Sequence, residues 1–221
     1  MKESQDNLHL YQRPILHFNG INYKFSNIQL IVFLVGSPLL SILIYYFLTL
    51  KINYWVYELT TKQIVLILNT LLLMNSQVII DPEHNLFPHI FIPDHPFNGN
   101  YSITPNCIAA HIFSILIGII IFIPASKDSL NRNDFILRKI ETLVVSVIGI
   151  YILNIFRISF LLFFNFHGIP FEFIHESLFF LSAIIGALFF VLLLKKWLPE
   201  IYISIYYLYR LISQKKKQIH K

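Results

Sequence analysis

Residues 64–80 read IVLILNTLLLMNSQVII, and whether this stretch crosses a membrane decides the fold. It is apolar but barely long enough to span. It also carries Asn69, Asn75, Ser76 and Gln77, each of which needs a hydrogen-bonding partner in hydrocarbon. Four other runs, about residues 27–50, 106–124, 140–164 and 175–196, have spanning length and almost no charge. With these four alone, every basic cluster falls on one side: Lys2, Arg13 and Lys24, then Lys127, Arg132, Arg138 and Lys139, then Lys195, Lys196, Arg210 and Lys215 to Lys217. A fifth span at 64–80 would set the N-terminal cluster against the others. The positive-inside rule therefore predicts four spans with both termini cytoplasmic, and places residues 64–80 in an amphipathic helix on the outer surface.

Composition agrees with an all-α polytopic membrane protein, since 56% of residues are apolar and 13% charged. The net charge of +5 reads as a topology signal with attraction to anionic lipid, and calls for no nucleic-acid partner. Residues 1–26 are mixed and polar, without the short apolar core and cleavage site of a removable signal, so span one (27–50) is expected to be an uncleaved anchor. Residues 51–105 are expected outside. There, short pieces at 77–80, 89–92 and 101–104 are separated by Asp-Pro, Pro-Asp and Asn-Gly pairs, which predicts a small β cap beside the surface helix. Residues 106–196 form the three-span core. Residues 197–221, aromatic and then basic, are expected to make an interfacial helix and cytoplasmic tail.

Some residues are costly to keep in such a chain. Arg157 lies in YILNIFRISF, predicted about 10 Å from the outer end of its span, where an arginine costs about 2.5 to 3.5 kcal/mol on insertion scales. Asn154, three residues earlier, shares its helical face and can orient the guanidinium. Cys107 is the only cysteine, so no internal disulfide is available to it. Its position predicts that it opens the second span at the positive end of the helix dipole, with His111, Ser114 and Gly118 on one small, polar face turned into the bundle. His175 opens the fourth span at the same outer level. Three spans thus bring a thiol, a guanidinium and an imidazole to the outer third of the membrane. Acyl transfer needs that set: a nucleophile, a proton carrier and a fixed cation for the oxyanion. The carrier can be His175 or His111.

In these residues the chain resembles the exosortase/archaeosortase family, membrane cysteine transpeptidases and proteases that process C-terminal sorting signals of exported proteins. The resemblance covers about residues 101–196. It rests on PNC at the start of one span, NIFRI (Asn154 to Ile158) late in the next, and the histidine that opens the last. It implies that Cys107 is the nucleophile, Arg157 the oxyanion stabiliser and His175 the acid/base, with no cofactor. It further implies an exported substrate with a short motif, a transmembrane helix and a basic tail, processed at the outer surface of the cell (cytoplasmic) membrane. Two other functions fit parts of the sequence. DPEHNLFPHIFIPDH (81–95) gathers Asp81, Glu83, His84, His89, Asp94 and His95, the residue types of an extracytoplasmic metal module, though in no standard zinc spacing. A non-catalytic assembly or transport subunit could use Asn154 and Arg157 only to pair helices.

Overall fold

The computed structural model describes residues 16–18, 21–80, 87–96, 99–126 and 132–219. In chain order the elements are β1 (Leu16–Phe18), β2 (Ile21–Tyr23), α1 (Asn27–Thr49), α2 (Tyr54–Thr70), β3 (Gln77–Ile79), β4 (His89–Phe91), β5 (Asn100–Ser102), α3 (Ala110–Phe122), α4 (Arg132–Phe166), α5 (Phe171–Trp197) and α6 (Glu200–Ile219), with a short 3₁₀ turn at Lys51–Asn53. Three helices are long and apolar enough to cross a membrane: Asn27–Thr49, Asp134–Phe166 and Phe171–Trp197. Many of their large apolar side chains, such as Val32, Leu39, Phe180 and Leu188, are exposed, as suits a surface facing lipid. The chain is a membrane protein. The helix within 106–124 is shorter, 13 residues or about 20 Å.

Neighbouring helices of the bundle run antiparallel. At one end of α3, His111 stacks on Tyr45 of α1 with ring centroids 4.2 Å apart. At the other, Gln29 of α1 donates to the Ala125 carbonyl at 3.3 Å. Between them Gly118 lets the backbones touch: a Cβ there would lie 2.6 Å from the Ser37 carbonyl oxygen. The face predicted to be small and polar is therefore buried at Ser114 and Gly118, and it meets α1. The start of α4 lies by the end of α3, where the Lys139 ammonium donates to the carbonyls of Ile121 and Ile123. A cation there satisfies carbonyls that the helix end leaves unpaired. After Gly168, whose φ of +90° suits a glycine, α5 returns along α4 and lays Phe189 over Gly149.

Of the spanning windows, 39% of that in α4 is buried against 17% in α1 and 6% in α5, so α4 is the central helix. Its far end carries the cap. β3, β4 and β5 form an antiparallel sheet in that order, with Ile90 paired to Val78 and to Tyr101. Buried Ile90, Ile92 and Ile103 join Leu68 of α2 and Ile155, Ile158 and Leu162 of α4 in one core. The strands fall where the turn-forming pairs predicted them.

The helix expected over 64–80 is displaced. It runs over Tyr54–Thr70, buries Tyr57, Thr60, Thr61, Ile64 and Leu68, and ends before β3 takes Gln77–Ile79. The polar residues that spoke against a span explain the ending. The Asn69 amide donates to the Ser76 carbonyl at 2.9 Å and accepts from the Ser76 N–H and hydroxyl at 2.8 and 2.7 Å. This clasp folds the chain back on itself at Leu73 (φ +55°). At the opposite end, α6 packs Tyr207 edge-on to Phe25, and Arg138 binds the buried Glu200 carboxylate at 2.7 Å. The β1–β2 hairpin beneath it was not expected from the sequence, although Asn19-Gly20 between two short apolar pieces is a strong hairpin signal.

Candidate active site

Cys107 does not open α3. It sits in a turn over residues 105–109, in which its N–H donates to the Thr104 carbonyl at 2.9 Å and the Ala110 N–H donates to the Pro105 carbonyl at 3.2 Å. Ala109, left-handed at φ 56°, ψ 33°, separates that turn from the helix proper. Such a conformation costs a residue with a Cβ about 1 to 2 kcal/mol. The apolar run begins at Cys107, three residues before the helix, so only the backbone shows where helix begins. The half-buried thiol lies 3.5 Å from the Thr104 hydroxyl and 3.8 Å from the Ser102 carbonyl.

Asn154 on α4 holds this turn. Its side-chain amide donates to the Cys107 carbonyl, while its own carbonyl oxygen is buried without a hydrogen-bond partner. It therefore orients the thiol turn, and does not hydrogen-bond Arg157 as the spacing had suggested. Arg157, one turn along, is within electrostatic reach of the thiol. Its guanidinium lies 5.9 Å from the Phe179 ring centroid, and its Nε is buried and unpartnered. Both residues line a cavity of about 290 Å³ between α3, α4 and α5 whose other walls are almost wholly apolar.

The two candidate bases lie apart from the sulfur. His111 is exposed, its Nε2 3.0 Å from the Asn106 Oδ1. His175, also exposed, stacks on Phe171 at 5.7 Å, and Phe171 stacks on Tyr101 at 6.2 Å. Among the described residues neither imidazole hydrogen-bonds the thiol. Catalytic hydrogen bonds often tighten only once substrate is present, so this separation is no bar to either role.

A polar group that sequence reasoning passed over stands beside them. The Tyr101 hydroxyl donates to Asn165 Oδ1 near the end of α4 and lies 2.8 Å from His95 Nε2. Burial raises the Tyr101 phenol to about 12 and lowers the His95 imidazole below its ordinary value, the Asn165 hydrogen bond partly opposing the latter shift. No spacing rule links these positions, since the contact is made across the fold. The small residues of α5 at the cavity, Ser182, Ala183 and Gly186, could have been found from their spacing of three and four. No group of three potential metal ligands gathers among the described residues; Asp81, Glu83 and His84 lie outside them.

No protein-family model, curated protein or solved structure matches this chain.

Proposed function

We propose that this protein is an exosortase-like membrane cysteine transpeptidase or protease that acts on exported proteins at the outer surface of the cell membrane. The observation that carries the reading is the joint setting of Cys107 and Arg157: a half-buried thiol in a turn pinned by Asn154, with an arginine that has no acidic partner among the described residues.

Four passes fit this arrangement. α3 is short, yet it is matched end to end with α1 and capped by Lys139, so the turn at 105–109 and the residues after Phe122 complete its crossing. α2, with its buried face on α4 and Trp55, Leu59 and Leu66 exposed, serves as the outer surface helix. Along α4 the axis rises about 27 Å from Lys139 to Arg157, close to the roughly 30 Å of hydrocarbon. Arg157 then lies nearer the outer boundary than its predicted depth of about 10 Å, and the cap stands in water above it.

The chemistry follows. The Cys107 sulfur attacks a substrate carbonyl carbon, its proton passing to His175, with His111 the alternative. Arg157 stabilises the oxyanion. The C–N bond breaks as the leaving amine takes the proton, and a thioester remains. Attack by an amine gives a new amide, attack by water an acid, and either restores the thiol.

The test is the electrophoretic shift of a co-expressed exported protein bearing a C-terminal motif, helix and basic tail. Cys107→Ser should insert normally and fail to process it. Arg157→Lys should lose about 10²- to 10³-fold in rate, as removal of one oxyanion donor does. His175→Ala should abolish processing while His111→Ala largely preserves it; the opposite pattern moves the base to α3. Processing at the wild-type rate by Cys107→Ser would remove the nucleophile and with it this function.

A further inference from the structure

Two residues that line the cavity between α3, α4 and α5 each carry a buried polar atom with no hydrogen-bond partner: the Asn154 Oδ1, an acceptor on a residue only 4% exposed, and the Arg157 Nε, a donor. Leaving such groups unpaired in an apolar site is costly, so they mark where a ligand supplies complementary groups. The needed pair is one N–H for Asn154 and one carbonyl oxygen for Arg157. Spaced three apart on α4, the two side chains leave one helical face about 5 to 6 Å apart.

One residue of an extended peptide offers that pair. In a strand the N–H and C=O of a single residue point to the same edge, as in the hydrogen-bonded pairs of an antiparallel ladder. In a helix the same groups are already spent on internal bonds. We propose that this cavity binds one extended residue of the substrate's membrane segment, its N–H donated to Asn154 Oδ1 and its carbonyl accepting from Arg157 Nε. The substrate helix is therefore unwound where it enters the protein. Asn154 then has two tasks, holding the Cys107 turn with its amide nitrogen and reading the substrate backbone with its oxygen. The small side chains of Ser182, Ala183 and Gly186 leave room for the unwound segment on the α5 side.

This inference rests on the proposed enzyme, but its test does not depend on turnover. The probe is N-dodecanoyl-glycine methylamide, whose glycine carries both groups, compared with the ester analogue in which oxygen replaces the glycine N–H. Binding to the full-length protein in detergent micelles is read from the rise in thermal midpoint with probe concentration. The amide should bind about tenfold more tightly than the ester, the loss of one buried hydrogen bond. Asn154→Leu should abolish that preference, and Arg157→Met should weaken both probes. Because Asn154→Leu can also loosen the thiol turn, Ala183→Leu offers a second variant: it narrows the cavity from α5 and should weaken both probes while the fold is kept. Cys107→Ala should retain the tenfold preference. Equal binding of amide and ester to the wild type would overturn the proposal, as would displacement of the amide by phosphatidylglycerol at lower concentration, which would make the cavity a lipid site. Either result, with Cys107→Ser still inactive, removes the backbone site and leaves the cysteine enzyme standing.

Discussion

At the scale of single residues, the side chains that matter most are those whose polar atoms are placed where water is scarce. Arg157 and Asn154 announce themselves in the sequence because charge and amide are conspicuous in an apolar run. What each touches is not legible there: the spacing joins them to one another, whereas the fold gives the Asn154 amide to Cys107 and Arg157 to Phe179. His95 carries a testable consequence of burial. Its imidazole is held below the ordinary value of 6.5, so the folded cap favours the neutral ring and the unfolded chain binds the proton first. The contribution of His95 is thus fully present above pH 6.5 and is lost as pH falls from there through the lowered folded value. Amide exchange in the cap, followed for instance at Ile92, whose N–H donates to the Gly99 carbonyl at 2.8 Å, should show constant protection from pH 8 to about 6.5 and declining protection below it. The decline should be absent in His95→Gln. A decline that persists there would assign the effect to another group.

Among the elements, α3 is the one whose role depends most on its neighbours. It is too short to cross alone, and its position is fixed by contacts at both ends and by the backbone contact at Gly118. Gly118→Val should force α1 and α3 apart, because its Cβ would meet the Ser37 carbonyl oxygen at 2.6 Å and the Ser41 hydroxyl at 2.2 Å. A loss of about 1 to 3 kcal/mol is expected, as for other overpacked sites, measured by thermal unfolding in detergent. Gly186→Ala is the control: its Cβ would find only Leu153 at 3.5 Å, so stability should be unchanged or slightly raised. Similar losses in both variants would mean that the α1–α3 contact does not hold the bundle. The displacement of α2 teaches a related lesson. Apolar content continues to Ile80, but the Asn69–Ser76 clasp stops the helix at Thr70, and a side chain seven residues from its partner leaves no periodic trace.

For the whole molecule, the packing gathers basic residues from separate parts of the chain at one end. Lys24, Lys139, Arg138 and the Lys195-Lys196 pair all lie at the end of the bundle where α1 starts and α3 finishes, opposite the cap. Reporter fusions after Asn98 and His167 should therefore report the exterior, and fusions after Asn131 and at Lys221 the cytoplasm. A cytoplasmic signal near Lys51 would overturn this topology and make the 64–80 region a span. Three things were settled by sequence alone: the membrane class of the protein, the long helices α1, α4 and α5, and the cap strands between their turn-forming pairs. Each follows from local composition, apolar length for the helices and Pro, Gly, Asn and Asp punctuation for the strands. The tertiary structure alone decided that Cys107 lies in a turn before α3, that Asn154 grips that turn, that His111 and His175 stand away from the thiol, and that Tyr101, His95 and Asn165 meet. These depend on which side chains approach one another across the bundle, and a hydrogen bond between distant positions is specified by the packing of the elements that carry them.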